Sequence, residues 1–193
     1  MDSFMPACSR REFLLRALAG VAAAMLAPAV RAEGIQLHQA EITLKGELFQ
    51  LSGYFDIQLS NTLENALLRG VQLTFVQAFE AQRERDYWLA EDLIELQRSI
   101  RLSYNALLRQ YSVSLQGVSS SHETLADALR AVGDLRDWSV LNVKQTKRKA
   151  TNRAYIRMYV DIAQLPKPLQ VNALASSARW QLDSGWQERT FKY

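Results

Sequence analysis

The chain has 193 residues, 23 basic against 20 acidic side chains, a formal net charge of +3 and one cysteine, Cys8. So balanced a charge excludes a broadly basic, nucleic-acid-binding surface. A lone cysteine excludes a disulfide framework and a thiolate metal site.

The N-terminal stretch reads as an export signal. Arg10, Arg11 and Arg16 come first, an Ala-rich apolar run from Ala17 to Ala29 follows, and Val30-Arg31-Ala32 closes it like a cleavage site. The run has 13 residues, against the roughly 20 a spanning helix needs, so no permanent anchor is expected. Ser9-Arg10-Arg11-Glu12-Phe13-Leu14 fits a twin-arginine core; the general export route, with two incidental arginines, is the alternative. Cleavage after Ala32 leaves residues 33–193 as a single domain. Four arginines and two acids go with the leader, so 19 basic and 18 acidic residues remain, and no cysteine.

The rest of the chain alternates apolar and polar residues, the period of a strand with one buried face. Ala40, Ile42 and Leu44 alternate, and Gly46 turns the chain into a run from Leu48 to Leu59 in which Gly53 marks a bulge or bend. Asn61-Thr62-Leu63-Glu64 reads as a capping box opening a short helix that Gly70 stops. Alternation returns at Val71–Phe79, while Glu91–Arg98 fits either period. Strands then follow at Ile100–Tyr104 and Leu107–Leu115. Ser120-Ser121-His122-Glu123 predicts a second capped helix, stopped by Gly133. The similarity of TLENAL and TLADAL fits either a duplicated strand–helix–strand unit or convergent helix starts. Lys144–Arg153 carries five basic residues and reads as a hairpin tip before a strand at Ala154–Ile162. The expected fold is α+β: a mainly antiparallel β-sheet or sandwich of about six half-buried strands, with two short helices.

Catalytic signatures are missing. There is no nucleophile elbow, glycine-rich phosphate loop or zinc helix. His38 and His122 lie 84 positions apart, outside any metal-ligand spacing. His38 is expected to pack in the first strand and His122 to be exposed at a helix start. No metal or cofactor is implied. Glu91 and Glu95 would share a face if helical, and two facing carboxylates could hydrolyse envelope glycan. The remaining candidates are contact residues. Arg83, Arg85, Tyr87 and Trp88 have the composition of a binding hot spot, or of a structural cation–π pair. Lys147, Arg148 and Lys149 form a basic tip suited to anionic lipid or an acidic protein.

The phrases GVQLTFVQAFEAQRERDYW (Gly70–Trp88), RLSYNALLRQYSVS (Arg101–Ser114) and LPKPLQVNA (Leu165–Ala173), followed by W-x-L-x-S-x-W (Trp180–Trp186), resemble an uncharacterised family of exported, single-domain proteobacterial proteins. The resemblance implies a periplasmic location and, through neighbouring genes, a membrane sensor kinase as partner; it assigns no site residue. The sequence therefore points to a non-enzymatic periplasmic binding or accessory module. A glycan hydrolase using Glu91 and Glu95 and a carrier of small apolar ligands are the alternatives.

Overall fold

A computed structural model describes residues 34–85, 90–148, 150–175 and 180–193. Glu33–Tyr193 forms one compact unit. The described strands, all paired antiparallel, make two sheets. The smaller has the order β1 (Gly34–Lys45), β2 (Leu48–Gln58), β7 (Trp138–Asn142). The larger runs β6 (Val118–His122), β5 (Gln110–Leu115), β4 (Glu91–Asn105), β3 (Leu73–Arg83), β8 (Thr151–Val160), β9 (Gln187–Lys192). Three short helices accompany them: α1 (Asn61–Leu68), α2 (Leu125–Gly133) and α3 (Lys167–Ala175). The expected α+β sandwich is thus observed, with one helix more than the sequence predicted.

One core joins the sheets. Phe49, Leu51, Phe55 and Ile57 of β2 and Leu73, Phe75, Phe79 and Ala81 of β3 are buried with Ile156 and Met158 of β8. Aromatic contacts cross the gap: Phe49 lies 5.1 Å from Phe191, and Phe79 lies 6.2 Å from Trp138. Every residue from Leu73 to Phe79 is buried, so β3 lacks the solvated face expected of it. The cause is its central place. Thr74, Val76 and Ala78 are small, and the longer Tyr159, Arg157, Arg101 and Gln97 stand opposite or diagonal to them on β8 and β4.

Turns and caps follow local chemistry, with shifts from the expected positions. Gly46, at φ +63°, opens the two-residue β1–β2 turn. The first helix is capped one residue earlier than read: Ser60, not Asn61, accepts from the Leu63 amide at 3.3 Å. It ends in a Schellman motif, with Gly70 N donating to Leu67 O and Val71 N to Ala66 O. The second predicted box is displaced further. Ser120–His122 belong to β6, and Thr124 caps α2 by accepting from Asp127 N at 3.1 Å. Gly133 ends α2 for a reason other than left-handed backbone: a Cβ there would lie 2.1 Å from the Phe55 carbonyl oxygen. The helix terminus docks backbone to backbone on β2, and Leu135 N donates to Gly53 O.

Two connections overturn sequence readings. α1 leads from the small sheet to the large one, whereas α2 leads from the large to the small. TLENAL and TLADAL therefore do not mark a duplicated unit. Likewise 143–150 is no hairpin tip, since β7 and β8 lie in different sheets. The segment is a crossover, pinned where buried Thr146 donates to buried Asn152 at 2.9 Å. Leu107 belongs to a turn rather than a strand. Glu91–Arg98 resolves as strand.

Candidate binding face

The larger sheet presents its outer face to solvent, and the pleat decides which residues appear there. On β8, Tyr155, Arg157 and Tyr159 share the parity opposite to the buried Ala154, Ile156 and Met158. They register against Glu80, Ala78 and Val76 of β3, which face Glu95, Gln97 and Ser99 of β4. The segment before β9 runs alongside β8 at this face, with Val160 N donating to Leu182 O and Ser184 N to Met158 O, both at 2.9 Å. Asp183 bridges to Tyr159 through the backbone, and Ser184 Oγ accepts from Met158 N at 2.9 Å.

Arg157 is the centre of the arrangement. Its Nε donates to Asp183 Oδ1 at 3.0 Å and its Nη2 to Asp183 Oδ2, a bidentate pair. Gly185 N also donates to Asp183 Oδ1, at 2.8 Å. The Arg157 hydrogen bond holds the Asp183 carboxyl below its ordinary value, against its partial burial. The guanidinium lies 4.9 Å from the Tyr159 ring and 5.6 Å from the Trp186 ring, within cation–π range of both. Trp186 stays 42% exposed. A tryptophan left in solvent beside a pinned arginine is a preformed anchor.

Acids border the anchor. Glu80 and Glu95 stand directly opposite on β3 and β4, with Gln82 and Asp92 the next pair on the same face. Like charges so placed disfavour the sheet. Desolvation, then the charges of Glu95 and Asp92, push the Glu80 carboxyl up, while Arg157 pulls it down. Arg153, on the β8 edge of the face, pairs with Glu84 and, at 3.5 Å, with Glu188. The face thus offers an aromatic–arginine anchor, a band of negative charge and bound arginines.

The residues singled out from sequence are dispersed. Arg83 and Arg85 both donate to Glu91, which these bonds hold below its ordinary value. The Arg83 side chain is only 11% exposed, so it is largely structural, whereas Arg85 is open to solvent. Lys147 and Arg148 are exposed on the crossover. Tyr87, Trp88 and Lys149, and the leader residues Arg10, Arg11 and Ala32, lie outside the described residues.

Glu91 and Glu95 do not come together. A bulge at Leu93 shifts the register, so Glu91 pairs with Arg83 and Glu95 with Glu80; Arg83 and Glu80 are on opposite faces of β3. His38 is not packed in the core. The bulge at Gln39, whose φ is +48°, reverses the parity between His38 and Ile42. His38 stacks on Tyr54 at 5.2 Å on the outer face of the small sheet, and His122 accepts or donates to Ser120 Oγ at 2.9 Å on β6. Among the described residues no three His, Cys, Asp or Glu side chains are grouped to hold a metal ion. Among them, too, no helix is long and apolar enough to cross a membrane.

A family model described as a domain of unknown function, DUF4390, matches residues 32–190. The chain belongs to this family. The match covers every described strand and helix but the last two residues of β9, and so includes the Arg157–Asp183–Trp186 cluster. No curated protein and no solved structure matches the chain.

Proposed function

We propose that the domain is a non-enzymatic binding module of the bacterial cell envelope. In this reading the leader exports it, by the twin-arginine or the general route, to the periplasm of a proteobacterium. There it acts as an accessory that holds an envelope protein, of which a membrane sensor kinase is the candidate suggested by the family's gene neighbours. The observation that carries the reading is the exposed Trp186, with half-buried Tyr159, against an Asp183-bound Arg157 on an open sheet face. Anchors of this kind bind flat protein surfaces, because an aromatic ring and a planar guanidinium bury much area with little loss of rotamer freedom. The bordering carboxylates favour a partner with basic residues around an apolar or aromatic centre.

A photo-crosslinking residue placed at Trp186 tests this in intact cells. The expected result is a discrete adduct with an envelope protein, absent when the residue is placed at exposed Thr43 on the small sheet. No adduct at Trp186, or the same adducts at both positions, contradicts the proposal. Fractionating cells that carry Arg10→Lys and Arg11→Lys separates the export routes: a retained precursor marks the twin-arginine route, and normal release marks the general one.

A further inference from the structure

The β4–β5 hairpin ends in two leucines that face mostly solvent. Leu107 is 96% exposed and Leu108 67%. Both occupy the four-residue turn 106–109 between the Asn105↔Gln110 pair. The turn is fixed rather than loose. Asn105 Oδ1 accepts from Leu107 N at 3.0 Å and from Leu108 N at 3.1 Å, and Arg109, at φ +52°, closes the turn in the left-handed region. Behind the tip Tyr104 and Tyr111 pair across the strands at 4.8 Å. The chain thus uses its side chains to hold two apolar residues out in water, a placement that burial elsewhere must reward.

Charge indicates what buries them. From Gln97, within β4, to His122 at the end of β6 the chain has three arginines and no acidic residue, while the acids of β4 stand at its opposite end, Glu91 to Glu95. Arg98 is turned inward, but Arg109 in the tip and Arg101 on β4 are exposed. Two acids stand behind the tip: Glu123 follows the Tyr111↔His122 pair, and Glu64 of α1 acts on the Tyr111 hydroxyl. Two leucines at an apex with an arginine beside them match an anionic bilayer, where apolar side chains enter the acyl boundary and guanidinium groups meet phosphate.

We infer that the Leu107–Leu108–Arg109 tip is a membrane-surface anchor that inserts into the interface of an anionic phospholipid bilayer. This deepens the envelope reading by supplying a second contact, at the end of the sheet rather than on its outer face. It would hold the domain beside a membrane-embedded partner while leaving the Arg157 face free. Two leucines give weak, reversible attachment, strengthened by anionic lipid and weakened by salt.

Vesicle binding by the chain from Glu33 tests it, since the whole core lies between Ile35 and Phe191. That chain has no cysteine, so Leu107→Cys or Val118→Cys accepts a single environment-sensitive dye. Val118 is 76% exposed at the far end of β5, about 20 Å away at 3.3 Å per residue. With vesicles containing phosphatidylglycerol, the dye at 107 should shift to the blue and that at 118 should not. Leu107→Ser with Leu108→Ser should lower sedimentation with these vesicles at least fivefold at an unchanged melting temperature. Vesicles of phosphatidylcholine alone should bind at least fivefold less than those with phosphatidylglycerol. Failure of the unsubstituted chain to bind anionic vesicles, equal shifts at both positions, or unchanged sedimentation of the double variant would overturn the inference. Leucines that dock instead into a protein groove would give the first of these. The Trp186 crosslinking result is independent of all of them, so the two proposals fail separately.

Discussion

Among the described residues two arginines stack on tryptophan, and they differ in what holds them. Arg98 lies 4.3 Å from the Trp138 ring on the inner face of the large sheet. Its Nε donates to Gln77 Oε1 at 2.6 Å and its Nη2 to Asp134 O at 3.0 Å. The Gln77 amide in turn donates to Val132 O at 3.0 Å. Arg157 is held instead by an exposed side chain, Asp183, under an exposed Trp186. The inner pair is tied to backbone carbonyls at the end of α2 and ties the large sheet to the small one. Burial lowers the Arg98 pKa to about 10, with the Asp134 charge opposing. Asp134 itself, which burial alone would raise, is kept below its ordinary value by hydrogen bonds from Arg136 and by the charges of Arg136 and Arg98. Composition alone therefore does not separate a structural cation–π pair from a binding anchor; the acceptor does. Acceptors inside the fold fix an arginine for good, whereas an exposed carboxylate can share it with a partner.

The contrast breaks most visibly on its inner side. Gly133→Ala drives a methyl into the Phe55 carbonyl and should cost more than about 3 kcal/mol, as large steric insertions at packed sites do. Little soluble protein, or a melting transition lowered by more than about 10 °C, is expected. Arg98→Met keeps the volume but strands Gln77 Oε1 and leaves the Asp134 carbonyl only the 3.5 Å bond from Gln77 Nε2. A loss of about 2–3 kcal/mol should appear as a lower urea midpoint at unchanged slope. On the outer side, Arg157→Ala removes a partly exposed ion pair. Its stability change should stay below about 1 kcal/mol, while crosslinking at Trp186 falls at least tenfold.

The smallest expected effect concerns pH. The Glu80 carboxyl titrates above its ordinary value of 4.5 in the folded chain. The folded state thus binds more protons than the unfolded one in that window, and stability falls as pH rises through it. Glu80→Gln removes the repulsion with Glu95. It should raise stability by about 0.5 kcal/mol at neutral pH, with the gain vanishing below pH about 4, where Glu80 is already protonated. Thermal melts across that range check both the sign and the window.

Apolar parity was legible in β2, β4 and β8, each of which buries an alternating set, and in β3, although there the other parity is buried too. β6, with Ser119–Ser121, and β9, with Phe191 as its one buried residue, carry no such signal. They form because a neighbouring strand supplies the pairing. Parity also fails at bulges, since one extra residue reverses the faces. This is why His38 lies off the face that Ile42 implies for it, and why Glu91 and Glu95, which would share a face on a helix, are parted on a bulged strand. The assignment of strands to two sheets was not legible, because a period of two does not name the partner. Of the binding face, Tyr155, Arg157 and Tyr159 were already on one polar parity. Their link to Asp183, 26 positions on, depends on the return of the chain beside β8, which no local pattern announces.

The claim on which the account rests is that Arg157 and its rings serve a partner rather than the fold. Arg157→Ala, examined in one preparation for urea midpoint and for crosslinked partner at Trp186, tests it most directly. The account predicts an almost unchanged midpoint with the adduct lost. An adduct that survives, or a domain that unfolds along with its loss, would contradict it.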